Sequence, residues 1–125
     1  MKRRLELEKI ILGTLLNNCT VNFYPNARCC LTEDMFSVEQ HKKIWRYIQE
    51  FNEKMGDFSF LDIYKEYKDY DLCTYMAGLL QYDFVVKKMN YNEGEWQKEI
   101  QGCVPKYTDV TFDDYITELI KRVYA

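Results

Sequence analysis

Proline occurs twice and glycine five times in 125 residues, so few positions interrupt a helix or supply left-handed backbone. His41 is the single histidine, which leaves imidazole chemistry one candidate. Positive charge is also in short supply: a net charge of −3 and a pI near 5.2 provide no summed field to hold a phosphate backbone. Strong direct binding to nucleic acid is therefore not expected. No apolar run approaches the roughly 18–20 residues that cross a bilayer, so no membrane-spanning segment is expected. Gly13, Gly56, Gly78, Gly94 and Gly102 are scattered and none precedes Lys-Ser or Lys-Thr. The phosphate-cradling loop of an NTPase is missing, and the chain is read as no enzyme.

Cys19, Cys29, Cys30, Cys73 and Cys103 are odd in number and follow no signal peptide, a pattern of reduced thiols in a cytoplasmic protein. Zinc needs ligand pairs spaced two to four apart so that one loop presents both. Cys29 and Cys30 are adjacent instead, and His41 lies far from any such pair; no metal site and no cofactor is expected. Hydrophobic residues reach 47% and charged residues 30%, the balance of a soluble globular domain, and the length suits one domain over residues 1–125. Eleven Tyr and seven Phe supply large contact areas that suit cores and protein interfaces alike.

Apolar spacing predicts helices throughout. Leu5, Ile10, Ile11, Leu12, Leu15 and Leu16 place a first helix over roughly 4–18. Cys19 to Leu31, with Pro25 and no sustained period, reads as a loop with at most a short turn of helix. Ser37-Val38-Glu39-Gln40 then reads as a capping box ahead of a strong helix whose inner stripe is Val38, His41, Ile44, Trp45, Ile48, Phe51 and Met55, stopped by Gly56. Shorter helices follow Ser59 and Asp71, a further one is expected over 92–101, and Thr111 caps a closing helix with Phe112, Tyr115, Ile116, Leu119, Ile120 and Val123 on its stripe. No segment alternates as a strand does. The fold class is all-α, a compact orthogonal bundle of about five to seven helices.

Groups that could carry chemistry have plainer readings. His41 lies on the inner stripe of its helix, where a partly buried imidazole making one hydrogen bond is expected. Asp113-Asp114 and Glu93-Glu95 fit first-turn positions that favour the helix dipole. Tyr64, Tyr67, Tyr70 and Tyr75 could stack bases, but Lys65, Glu66, Lys68, Asp69 and Asp71 between them nearly cancel, so core and interface packing is favoured. Lys2-Arg3-Arg4 reads as a solvated end.

Three stretches together resemble the N-terminal domain of DnaB-family replicative helicases. The first is Leu7-Glu8-Lys9-Ile10-Ile11-Leu12-Gly13-Thr14-Leu15-Leu16, in which Gly13 permits close helix approach. The second runs from Leu31-Thr32-Glu33-Asp34-Met35-Phe36 through Gln40-His41-Lys42-Lys43-Ile44-Trp45 to Gly56-Asp57 and Leu61-Asp62-Ile63. The third joins Tyr75-Met76-Ala77-Gly78-Leu79-Leu80 to Tyr115-Ile116-Thr117-Glu118-Leu119-Ile120-Lys121-Arg122. Val85 to Tyr107 stands where the family has a short turn, so an extra surface element is expected there, and Tyr70-Asp71 replaces the family's Gly-Gly.

The resemblance implies a non-catalytic assembly role in DNA replication: self-association in a helicase ring, formation of a collar, and recruitment of a primase or helicase loader. It also implies a fragment of a longer chain, cut before a dimerising helical hairpin. The closing helix carries more apolar surface than one core needs, and Tyr115, Leu119, Val123 and Tyr124 are the expected interface. The alternatives are a stand-alone adaptor of a phage or mobile element that regulates replication, and a primase-side helicase-binding module.

Overall fold

Helix α1 (Lys2–Asn17) is apolar on nearly every side between Leu7 and Leu16, and those residues are buried almost without interruption. A helix hydrophobic all round belongs at the centre of a bundle. The computed structural model describes residues 2–17, 19–56, 58, 60–83 and 111–124. Around α1 it arranges α2 (Cys19–Cys30), α3 (Glu39–Met55), α4 (Phe60–Tyr67), α5 (Tyr70–Leu79) and α6 (Phe112–Val123), with 3-10 turns at Glu33–Met35 and Leu80–Tyr82. No strand occurs among the described residues. The helix expected over 92–101 and the extra element at 85–107 lie outside them.

Close packing of α5 on α1 depends on Gly13. A Cβ there would sit 2.1 Å from the Leu79 carbonyl oxygen, far inside contact distance, so the crossing exists because that side chain is missing. α2, α3 and α6 pack on other sides of α1. Trp45, Phe36, Ile44, Ile48 and Met76 fill the space between them without measurable exposure. Trp45 sits between the Phe36 and Tyr24 rings, at centroid distances of 5.5 Å and 5.8 Å.

Three expectations need correction. Residues 19–30 form helix α2 rather than a loop, despite Pro25 inside it. Phe23, Tyr24, Ala27 and Leu31 recur at helical spacing, and burial of Tyr24, Ala27 and Leu31 outweighs the backbone bond that proline removes. Ser37 does not cap α3; Val38 takes that position, and the Ser37 hydroxyl and N–H both turn to the Glu8 carboxylate, a charged acceptor. Helix α5 starts earlier than expected, with Asp69 rather than Asp71 as its cap; the Leu72 N–H donates to Asp69 Oδ1 at 3.2 Å.

Elsewhere the local signals hold. Gly56 ends α3 at φ 75°, a conformation that suits glycine. At the start of α6 the Thr111 N–H donates to Asp114 Oδ2 at 2.8 Å, and Asp113 and Asp114 occupy the first turn.

Lys68, in the link between α4 and α5, is strained, with φ 49°. A left-handed L-residue costs roughly 1–2 kcal/mol, part of which glycine would return as unfolded-chain entropy. Lys68→Gly is therefore expected to stabilise the fold by roughly 0.5–1 kcal/mol, read as a higher urea midpoint at unchanged m-value.

Candidate functional site: a buried polar relay and two exposed faces

Glu8 and His41 are charged or titratable side chains at 0% exposure. Polar groups survive such burial only when hydrogen-bonded, and these form one relay. Ser37 donates to Glu8 through its N–H at 2.9 Å and its hydroxyl at 2.6 Å. His41 Nδ1 lies 2.8 Å from Glu8 Oε1, and His41 Nε2 lies 2.5 Å from the Tyr75 hydroxyl. With Glu8 ionised, Nδ1–H donates to it and Nε2 of the neutral ring accepts from the phenol; this tautomer is assigned from the network.

The Arg4 guanidinium completes the relay. Nε stands 3.6 Å from Glu8 Oε2, and Nη2 donates to the Met35 carbonyl at 2.9 Å. Burial alone would raise the Glu8 pKa, but the hydrogen bonds from His41 and Ser37 outweigh it and leave the carboxyl below its ordinary value. Burial pushes the Tyr75 phenol up, so it stays a donor. The relay thereby stitches α1, the segment before α3, α3 itself and α5 into one unit.

A carboxylate, an imidazole and a hydroxyl in line are the parts that activate a nucleophile. Here both imidazole nitrogens are engaged inside the fold and the ring has no exposure. The arrangement holds helices together, as the inner-stripe reading of His41 implies. His41 is more deeply buried than expected, with two partners rather than one. Glu8, Ser37 and Tyr75 were not foreseen as its partners. A signal existed for Glu8, a carboxylate set among Leu7, Ile11 and Leu12 with Arg4 one turn before it.

The basic N-terminal cluster is also absorbed. Arg3 forms a two-pronged pair with Glu118 of α6, at 2.6 Å and 3.0 Å, and a further pair with Glu6. The Glu118 carboxyl is held below its ordinary value first by that hydrogen bond from Arg3.

The four residues expected as an interface separate. Leu119 is a correction: it lies at 0% exposure in the core and offers no surface. Tyr115 and Val123 are half-buried against that core, while Tyr124 is 73% exposed. The edge of α6 thus narrows to Tyr124 and the outer parts of Val123 and Tyr115. A second exposed face lies on α4 and α5, where Tyr64 at 42% and Tyr70 at 61% exposure are joined by Leu61 at 61%, a residue the sequence did not single out. Beside it a groove of 270 Å³ is lined by Glu39, Gln40, Lys43, Asp69, Asp71 and Leu72. Among the described residues no cluster of His, Cys, Asp and Glu could hold a metal ion, and no helix is long and apolar enough to cross a membrane.

A central apolar helix, a relay that engages the buried Glu8 and His41 and two exposed aromatic edges describe an all-helical domain of the kind built for packing and contact. The particular family is given by comparison: the model of the DnaB-like helicase N terminal domain matches residues 1–91, and the chain belongs to that family. No curated protein and no solved structure matches it. The match covers α1 to α5 and the relay; α6 lies beyond it, although it packs on α1 and α2.

Proposed function

We propose that this chain is the assembly domain of a replicative DNA helicase, a non-catalytic module that joins copies into a collar and docks a primase or helicase loader. Nucleotide hydrolysis belongs to an ATPase ring supplied by chain outside residues 1–125, beyond a dimerising helical hairpin. The observation that carries the reading is the family match over residues 1–91. It is supported by the way the buried titratable groups are used up in packing, and by the aromatic edge at Tyr124.

The test has two arms. Reading the encoding DNA past codon 125 is expected to show an open frame reaching a Gly-Lys-Ser or Gly-Lys-Thr loop. Mixing the chain with the cognate primase C-terminal domain is expected to give a complex that Tyr124→Ser weakens about tenfold or more, as loss of an aromatic contact does. A stop codon at 126 together with no complex at high micromolar concentration would remove the reading.

A second reading is a free-standing regulator of replication that carries the same fold, as a phage or mobile-element adaptor does. It is favoured by α6, which lies outside the matched segment and yet closes the bundle over α1 and α2. The stop codon with a stable monomer is its expected result.

A further inference from the structure

Ser37 is an exposed residue in the short link between the 3-10 turn Glu33–Met35 and α3, where residues 36–38 belong to no helix. An exposed, non-helical link is where a modifying enzyme can grip a chain. The Ser37 hydroxyl nevertheless reaches inward and donates at 2.6 Å to Oε2 of Glu8, a carboxylate with no exposure. One accessible side chain thus touches the buried relay from outside. The exposed Thr74 hydroxyl, by contrast, donates to the Tyr70 carbonyl, a bond internal to α5.

Two further features sit beside Ser37. Val38 occupies the N-cap of α3 and gives it no side-chain hydrogen bond. The first-turn N–H groups that a serine in the Ser37-Val38-Glu39-Gln40 pattern would serve therefore have no side-chain cap from that position. Arg4 stands 3.6 Å from the same Glu8 oxygen, and its buried Nε has no hydrogen-bond partner. Both are donors that favour an anion. The neutral hydroxyl, with one proton to give, serves the carboxylate. An anionic group at the same place would be repelled by Glu8 and drawn to those donors.

We propose that Ser37 is a phosphorylation site, and that its phosphate turns from Glu8 to Arg4 and the start of α3, loosening the buried relay. The co-reactant is a nucleoside triphosphate delivered by a serine-directed protein kinase. The bond from Ser37 Oγ to the γ-phosphorus forms as the bond from that phosphorus to its bridging oxygen breaks. The nucleoside diphosphate leaves with the electron pair, and the hydroxyl proton is lost to the kinase. The esterified Oγ has no hydrogen to donate, and the new group carries nearly two negative charges. Glu8 thus loses a donor and gains a like charge nearby. His41 keeps its bonds to Glu8 and Tyr75, but the buried carboxylate is short of a partner, and the hold of α3 on α1 weakens. The inference goes beyond the assembly-domain reading and does not rest on it.

The experiment has two parts, both on the full chain. Tandem mass spectrometry of the chain isolated from its own cells, in growth and in stationary phase, is expected to place a phosphate on Ser37 in the tryptic peptide of residues 29–42. A peptide that carries none, or carries it only on Thr32, overturns the proposal. The chain made with phosphoserine in place of Ser37 is then compared with the unmodified chain. Its Tm is expected to fall by about 5 °C or more, further than for Ser37→Ala, which removes the donor without adding charge. In a Glu8→Gln background the same phosphate is expected to cost less than half as much, because no carboxylate is left to repel it. A phosphorus NMR titration is expected to put the second ionisation of the phosphate below that of free phosphoserine, since cationic and N–H partners favour the dianion. An unchanged Tm, an equal loss in both backgrounds, or an ionisation at or above the free value overturns the proposal; the last marks a phosphate still facing Glu8.

Discussion

Replacing His41 with alanine is expected to lower the unfolding free energy by about 3 kcal/mol, the cost of leaving a buried carboxylate and a buried hydroxyl each short of a hydrogen-bond partner. The imidazole is the group that joins the Glu8 carboxylate to the Tyr75 hydroxyl. Without it Glu8 stays at the centre of the bundle with Ser37 and a guanidinium 3.6 Å away as its remaining partners. A buried carboxylate left short of one donor costs more than the same loss at the surface. Urea unfolding followed by circular dichroism measures this, and a loss below about 1 kcal/mol, that of an ordinary surface substitution, would show that the relay is not a principal support.

The same relay predicts a dependence on acid. The folded-state pKa of Glu8 lies below the unfolded value of 4.5, so the folded state binds the proton less readily than the unfolded chain. The corresponding stability is fully present above that unfolded value and is lost as pH falls through the lower folded one. Glu33, Asp69 and Glu118 shift in the same direction, and the acid limb of the wild-type curve is shared among them. Comparing urea midpoints of wild type and Glu8→Gln between neutral pH and pH about 3 isolates the Glu8 share: the two curves are expected to converge as the pH falls. Parallel curves would assign the acid limb to the other carboxylates.

Gly13→Ala is the second large effect. In an exposed helix interior alanine is better than glycine by roughly 1 kcal/mol, and Gly78, on the outer side of α5 with nothing within 4 Å, is expected to show that gain. At Gly13 the added methyl would meet the Leu79 carbonyl oxygen at 2.1 Å. That atom is backbone and cannot rotate away, so α5 must lift from α1. A loss of about 3 kcal/mol or more is expected, at the upper end of overpacking costs. The same chemical change thus has opposite signs at two glycines in one protein. Equal gains at both positions in thermal melts would mean that α1 and α5 do not cross as closely as the structure has them.

Helix existence was legible where apolar residues recur at three and four with no helix breaker among them, as along α3 and α6, because that spacing itself states which face is buried. It failed at α2, where proline and asparagines argue locally for a loop. The stabilising contacts there are distant in sequence, Tyr24 on Trp45 and Phe23 on Phe112. Ser37 shows the same limit: its local pattern fits a capping box, but a buried carboxylate brought from Glu8 is a stronger acceptor than the helix end. Leu119 was offered as interface because one helix cannot reveal which of its apolar residues a core consumes.

By itself the sequence determined the all-helical class, the helix stop at Gly56 and the helix start at Thr111, and the family through its ordered motifs, since propensity, capping and apolar period act within a few residues. Tertiary structure alone decided the partners of His41, the depth of Leu119, the α1–α5 crossing at Gly13 and the meeting of the exposed Tyr64 and Tyr70 rings. Each of these depends on groups from separate helices arriving within a few ångströms of one another. Such distances are set by how the helices pack, which the period of any single helix does not encode.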